Sequence, residues 1–283
     1  MPRPPTRPSR ERAELGLSVA TAFPSRLEWF DRVDSTNDVV AGWLRDGVPE
    51  VCVAAADEQT AGRGRSGRTW TAPSGGALLC SVGFRPTWLD PERAWRLAAI
   101  VSLAMADAAE SEAGLAPGTI RLKWPNDLVI ETEAVRKLAG VLGETDGLGT
   151  PDARAIIGIG VNGAWSRTDF PAELADSMTS LGEAAAGRPI DRYRLLADFV
   201  RRLEARVDAL REGRFDAEGW STRQLTNGRP VRLEQPDGRG QTVLAVGVEP
   251  ESGALLVAGD SPEAPPRHVL VGEIRHLRLG GVV

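Results

Sequence analysis

The sequence predicts an α/β (α+β) protein, a mixed sheet flanked by helices with a small separate β domain behind it. Three observations predict this. Short apolar runs bounded by Gly, Pro, Asn and Ser recur between Leu27 and Val161. Two longer segments, 92–113 and 191–212, carry apolar residues at helical spacing. Beyond about Asn227 only short β runs separated by Gly and Pro remain.

Met1 to Arg12 is rich in Pro and Arg and lacks an apolar h-region. It does not read as a secretory signal, and 1–25 are expected to be a disordered tail. Leu27 to Val33 reads as a strand, and Ser35, Thr36 or Asn37 then caps a short helix to about Arg45. Val51 to Asp57 and Ala77 to Phe84 are strand-like. Pro91 suits the first turn of a helix over Glu92 to Ala113, with Leu97, Ile100, Val101 and Met105 on its buried face. Ile120–Trp124, Asp127–Glu131, Leu138–Gly143 and Ala155–Val161 follow as short strands. Tight turns join them, so the sheet is mixed or mainly antiparallel. Asp191 to Glu212 is a charged amphipathic helix. The β runs after it, Val231–Leu233, Thr242–Val248, Ala254–Val257, His268–Val271 and Ile274–Leu279, suggest a small barrel or sandwich. The expected division is a main domain over 26–226 and a second over 227–283.

Bulk properties exclude several classes. The 283 residues carry 34 Lys and Arg against 39 Asp and Glu, a net charge of −5. A general nucleic-acid binder would carry a basic face instead. No apolar stretch approaches the ~20 residues of a membrane span, so no membrane partner is expected and the cytoplasm is the default location. Cys52 and Cys80 both lie in apolar runs and read as packed thiols. No Cys/His cluster has metal-ligand spacing, and neither the Gly-x-Gly-x-x-Gly fingerprint nor a Walker loop is present.

The segment that demands explanation is Gly62-Arg63-Gly64-Arg65-Ser66-Gly67-Arg68. Glycine lets a backbone approach a ligand closely, and three guanidinium groups suit phosphate or carboxylate. A solvated basic linker has the same composition, but a buried strand before it and Trp70 after it hold this loop between ordered elements. Asp34-Ser35-Thr36-Asn37 ends a strand and opens a helix, as a cap or as a holder of a small polar ligand; Gln59 could serve the same ligand. Lys123-Trp124-Pro125-Asn126-Asp127 is an ordinary turn, except that Lys123 alternates with Leu122 and Trp124 and so faces either solvent or a cleft. Lys137 is a strand-end lysine with the same two readings. Gly158-Ile159-Gly160-Val161-Asn162 places glycines within a strand, which often marks close approach of a ligand or another backbone.

In this order the pieces resemble the biotin protein ligases, over about residues 27–280. The Gly/Arg loop with Trp70 and the Lys-Trp-Pro-Asn-Asp segment are specific; Asp34–Asn37, Gln59, Lys137–Leu142 and Gly158–Asn162 support them. The resemblance implies a catalytic domain related to class II aminoacyl-tRNA synthetases and an SH3-like C-terminal domain. It implies two steps, formation of biotinyl-5′-AMP from biotin and Mg·ATP and then transfer of biotin to a lysine of a biotin carboxyl carrier domain. Lys123, Arg63 and Arg65 would be catalytic. Ser35, Thr36, Asn37, Gln59, Arg63, Gly64, Arg65, Lys123, Gly140 and Gly160 would hold biotin. Arg63, Arg65, Arg68, Trp70, Asn126, Lys137, Asn162 and Arg278 would hold ATP, with Arg275 as the alternative to Arg278. Mg2+ would arrive through the ATP phosphates, with no metal site on the protein. Some family members carry an N-terminal DNA-binding helix-turn-helix; no such pair precedes the first strand here, so no DNA partner is expected. Dimerisation by sheet extension is within the family's range. The competing readings are a lipoate or octanoate ligase on the same scaffold and a biotin-sensing repressor.

Overall fold

The computed structural model describes residues 8–10, 23–234, 240–259, 261, 263–270 and 273–276. The strands of the main body are β1 (Pro8–Arg10), β2 (Arg26–Phe30), β3 (Cys52–Ala56), β4 (Ala77–Phe84), β5 (Ile120–Lys123), β6 (Asp127–Glu131), β7 (Val135–Asp146) and β8 (Arg154–Asn162). They form one sheet in the order β1-β2-β3-β4-β8-β7-β6-β5. The β2–β3 pair is parallel and the neighbouring pairs are antiparallel, so the sheet is mixed. A parallel pair needs a crossover connection, and helix α1 (Thr36–Arg45) supplies it.

Two cores lie on opposite faces of this sheet. Alternation along β3 sends Val53 and Ala55 to one and Cys52, Ala54 and Ala56 to the other. The first, larger core is covered by α2 (Trp95–Ala113) and α4 (Arg192–Arg211). The second is closed by Val40 and Leu44 of α1. The start of α1 is thereby laid across the middle of the sheet, where β4, β8 and β7 lie. Two short helices, α3 (Leu181–Ala184) and α5 (Ala217–Thr222), complete the body. The outer edge of β5 is covered: Leu122 N–H donates to Arg223 O at 2.8 Å and Leu225 N–H to Leu122 O at 2.7 Å.

The second sheet contains β9 (Arg229–Glu234), β10 (Gly240–Val248), β11 (Leu255–Val257), β12 (Arg267–Val269) and β13 (Glu273–His276), antiparallel in the order β12-β11-β10-β9-β13. Its β10–β11 turn docks on the main body. Trp95 Nε1 donates to Glu251 O at 3.1 Å, Arg96 Nη2 to Pro250 O at 2.9 Å and Trp124 Nε1 to Gly253 O at 3.1 Å. Gly253 has φ +73°, and a Cβ there would lie 2.7 Å from the Trp95 ring. Glycine is required on both counts.

Several expected boundaries change. Pro8–Arg10, expected within a disordered tail, pair with β2; the rest of that tail up to residue 22 lies outside the described residues. The first predicted strand ends at Phe30, and Val33 instead makes an isolated bridge to Gln59. Helix α2 starts at Trp95 because Asp90 caps a short 3-10 turn over Pro91–Arg93 first. Strand β7 is longer than expected at both ends, since β6 pairs with its first half and β8 runs along the rest, out to Asp146↔Arg154.

Candidate active site

A cavity of about 640 Å3 opens above β8 and β7, between the start of α1, the Gly/Arg loop and the β5–β6 hairpin. Its floor exists because three strand positions lack side chains. A Cβ on Gly158 would stand 2.3 Å from Asn37 Oδ1, and one on Gly160 2.7 Å from the Trp70 ring. A Cβ on Gly140, the register partner of Gly160, would meet Trp70 and the Lys137 ammonium at 3.1 Å. The approach anticipated from the sequence is therefore made by the chain's own side chains.

The polar end is a chain of hydrogen bonds. Thr36 donates to Gln59 Oε1 from its N–H at 2.8 Å and its hydroxyl at 2.9 Å. Gln59 thus satisfies a helix-start donor that Ser35 leaves without a side-chain cap. The Thr36 and Ser81 hydroxyls lie 2.7 Å apart, and Ser81 donates to Asn37 Oδ1 at 2.6 Å. Asn37 Nδ2 donates onward to Glu144 Oε2 at 2.8 Å. Ser35, Thr36 and Asn37 are all buried.

The Gly/Arg loop is closed on itself. Gly64 N–H donates to Arg68 O at 2.7 Å and Trp70 N–H to Gly62 O at 3.0 Å, with an Arg63↔Thr69 bridge between. Ser66 and Gly67 turn the tip with φ +55° and +72°. Gly62 has no alternative, since a Cβ would lie 2.4 Å from the Trp70 carbonyl oxygen. Arg65 Nη1 donates to Asn126 Oδ1 at 3.3 Å. Burial lowers the Arg65 pKa, with Arg68 adding to the effect and Asp127 opposing it; a guanidinium remains charged regardless.

The opposite side is cationic. Hairpin pairing sets Lys123 across from Asp127. Asp127 lies 2.7 Å from Lys137 Nζ and 3.8 Å from Lys123 Nζ. Lys137 Nζ also sits 5.4 Å from the centre of the Trp70 ring. Among the described residues, the buried Trp70 Nε1–H has no hydrogen-bond acceptor. Its ring packs on the strand floor, where a Cβ on Gly160 would lie 2.8 Å from this nitrogen. A smaller cavity of about 270 Å3 lies across the Lys123–Asp127 segment, walled by Trp95, Trp124 and Trp220.

The cavity brings together Ser35, Thr36, Asn37, Gln59, Arg63, Gly64, Arg65, Arg68, Trp70, Lys123, Asn126, Lys137, Gly140 and Gly160. Two expected contacts change. Arg63 stands at the rim, but Asp38 takes Nη1 and Nη2 at 2.8 Å and Glu144 takes Nε and Nη2 at 3.3 and 3.2 Å. Those carboxylates, Asp38 foremost, raise its pKa further. These two carboxylates hold its guanidinium at the base of the loop. Asn162 does not line the cavity; it is buried and donates to Thr179 O at 2.9 Å. Arg278 lies outside the described residues, as does the side chain of Arg275.

Sequence reasoning missed Asp127 as the shared counter-ion of two lysines, although hairpin logic places it opposite Lys123. It also missed Ser81, Asp38 and Glu144, and the wall formed by Glu173, Leu174, Ser177 and Met178. That wall is pinned by long-range main-chain bonds, Lys137 N–H to Ser177 O at 2.7 Å and Thr179 N–H to Lys137 O at 2.9 Å, which no local pattern signals.

Cys80 borders the cavity and Cys52 faces α1; both are free and buried. Burial pushes the Cys52 thiol up to about 11 and the Cys80 thiol up to about 12. The thiolate is the reactive form, so neither cysteine is expected to react with iodoacetamide at pH 8 until the protein is unfolded. Mass measurement of the native and urea-treated protein checks this, and stoichiometric native labelling would refute it.

Several known proteins are similar to this chain. The Biotin/lipoate A/B protein ligase family profile matches residues 29–162. The biotin–[acetyl-CoA-carboxylase] ligase of Mycobacterium tuberculosis is 33% identical over 256 residues, covering 89% of this chain and 90% of that protein. The bifunctional ligase/repressor BirA of Escherichia coli is 33% identical over 240 residues, covering 81% of this chain and 68% of that one. The biotin protein ligase from Aquifex aeolicus, solved in complex with biotin and ATP, superposes with a TM-score of 0.72 at 27% identity, covering 89% and 99% of the two chains.

Proposed function

The chain belongs to the biotin/lipoate A/B protein ligase family, and from that premise we propose that it is an ATP-dependent biotin protein ligase whose acceptor is the biotin carboxyl carrier domain of an acyl-CoA carboxylase. One observation carries the reading of the site. A single cavity joins a buried hydroxyl and amide cluster at α1 to a cationic end made by Arg65, Arg68, Lys123 and Lys137. A ring amide fits the first end and a carboxylate meeting a phosphate fits the second.

In the first step a biotin carboxylate oxygen attacks the α-phosphorus of ATP. A new O–P bond forms, the bond to the β-phosphate bridging oxygen breaks, and pyrophosphate leaves. Two anions must approach, so fixed cations are needed where charge accumulates. Lys123 and Arg65 take this role, with Arg68 and Lys137 on the phosphate side. Trp70, Asn126 and the wall at 173–178 bound the nucleotide. Mg2+ enters with the ATP phosphates. In the second step the neutral ε-amine of the acceptor lysine attacks the acyl carbon, AMP leaves with the bond electrons, and the amine proton passes to solvent. The loop at 62–70 orders over the adenylate and excludes water.

The finer assignments follow the same reading. The main body over 26–226 is a class II synthetase-like catalytic domain and 227–283 an SH3-like domain, with the enzyme working in the cytoplasm. No described helix is long and apolar enough to cross a membrane. A homodimer by sheet extension belongs to the same proposal; on the outer edge of β5 the 223–225 segment bonds to Leu122.

A lipoate or octanoate ligase is the nearest rival. The polar end favours biotin, because a ring amide can exchange hydrogen bonds with Thr36, Asn37 and Gln59 that an alkyl chain cannot. The test is incubation with Mg·ATP, an apo carrier domain, and biotin, lipoate or octanoate in parallel. Biotin alone is expected to release pyrophosphate and shift the acceptor mass by one biotinyl group. Transfer of lipoate or octanoate in preference to biotin would replace this reading.

A further inference from the structure

We infer that Glu144, assisted by Asp38, is a positioning residue that couples occupancy of the polar end to closure of the Gly/Arg loop. The inference rests on the ligase reading and deepens it.

Glu144 lies on β7 in register with Ile156. One of its oxygens accepts from Asn37 Nδ2 at 2.8 Å. The same oxygen and its twin accept from Arg63 Nη2 and Nε at 3.2 and 3.3 Å. Asp38, one helix position after Asn37, grips the far side of the same guanidinium at 2.8 Å through both oxygens. The Asn37 amide is engaged at its other end by Ser81, whose hydroxyl reaches Thr36 and hence Gln59. A continuous polar chain therefore runs from the ligand-facing amide of Gln59 to the root of the loop.

The loop is able to respond as a unit because its own main-chain bonds, Gly64 to Arg68 and Trp70 to Gly62, close it internally. It is tethered at the root by Arg63 and toward the tip by the Arg65–Asn126 bond. Arg63 and Asp38 are partly exposed, with side chains 39% and 56% accessible. Exposed ion pairs add little to global stability. They matter where a segment is held by few contacts, and residues 66–69 of this loop are exposed. A ligand that draws on Thr36, Asn37 or Gln59 redistributes the hydrogen bonds reaching Glu144, and through Glu144 the orientation of Arg63.

The experiment compares the wild type with Glu144→Ala, Glu144→Gln and Asp38→Asn in the full chain. Biotin-dependent ATP–pyrophosphate exchange yields KM and kcat. Hydrogen exchange over 62–70 is followed with and without biotinyl-5′-AMP, and the adenylate that escapes is measured without an acceptor. For Glu144→Ala the expected results are a rise of about tenfold in the KM for biotin and about tenfold more adenylate escape. Adenylate protection over 62–70 is expected to be largely lost. Glu144→Gln keeps an acceptor for Asn37 and should recover the KM while the loop stays fast. Asp38→Asn should loosen the loop more than it raises the KM. Wild-type loop protection and KM in Glu144→Ala would overturn the coupling. So would a fall in melting temperature with KM unmoved, which marks a purely structural role. Absence of biotin-dependent exchange in the wild type would instead overturn the ligase reading, separately from the coupling.

Discussion

Replacing Lys123 with alanine is expected to slow adenylate formation at least about a hundredfold, roughly 3 kcal/mol, in a protein that still folds. The size follows from electrostatics in a cleft. Unit charges about 4 Å apart interact by roughly 4 kcal/mol at an effective dielectric near 20; in the proposed reaction the carboxylate must bring its charge up to the α-phosphate, where further charge develops, beside this ammonium. The survival of the fold follows from its neighbours. Lys123 is 21% accessible at the end of β5, and Asp127 keeps its closer partner, Lys137 at 2.7 Å, so no carboxylate is stranded. Biotin-dependent pyrophosphate exchange and a melting curve on the same sample measure both halves. Near wild-type exchange would remove Lys123 from the chemistry, and an unfolded variant would show that its pairing with Asp127 is structural.

Gly158→Ala is expected to be far more damaging than one methyl group suggests. The new Cβ would lie 2.3 Å from Asn37 Oδ1 and 3.1 Å from its Cγ. Asn37 cannot retreat cheaply, since Ser81 and Glu144 hold its two ends and α1 packs behind it on the sheet. Overpacking of this kind costs about 1–3 kcal/mol. The shift of the α1 start should weaken biotin binding by more than about tenfold, equivalent to 1.4 kcal/mol. Gly143→Ala on β7 is the matched control: its Cβ would meet only Ile157 Cδ1 at 3.4 Å, an ordinary contact, and the expected change is within about 0.5 kcal/mol. Equal melting temperatures and biotin affinities for the two variants would show that Asn37 moves freely and that the glycine floor is not built around it.

Much of this architecture was legible in local chemistry. Apolar runs and helical spacing placed β3, β4, α2 and α4 to within a few residues, because burial of one face is written into each segment's own pattern. The Gly/Arg loop, the Lys123–Asp127 hairpin and the strand glycines stood out for the same reason: each has a composition that ordinary elements do not need. Boundaries such as Phe30 and Trp95 were less legible, since a bridge to Gln59 and a cap from Asp90 set them. What local chemistry could not assign was the role of a charged group whose partner is distant in the chain. Arg63 has the composition of an anion donor, and its pairing with Asp38 and Glu144, brought together by α1 and β7, is written nowhere in its own segment. Asn162 ends a promising motif, yet folding directs its amide to Thr179. The wall at 173–178 carries no motif and reaches the cavity only because Lys137 bonds to Ser177 and Thr179. Hydrophobic periodicity is a property of a segment, whereas an ion pair or a hydrogen bond belongs to two segments at once, and only the folded chain decides which two meet.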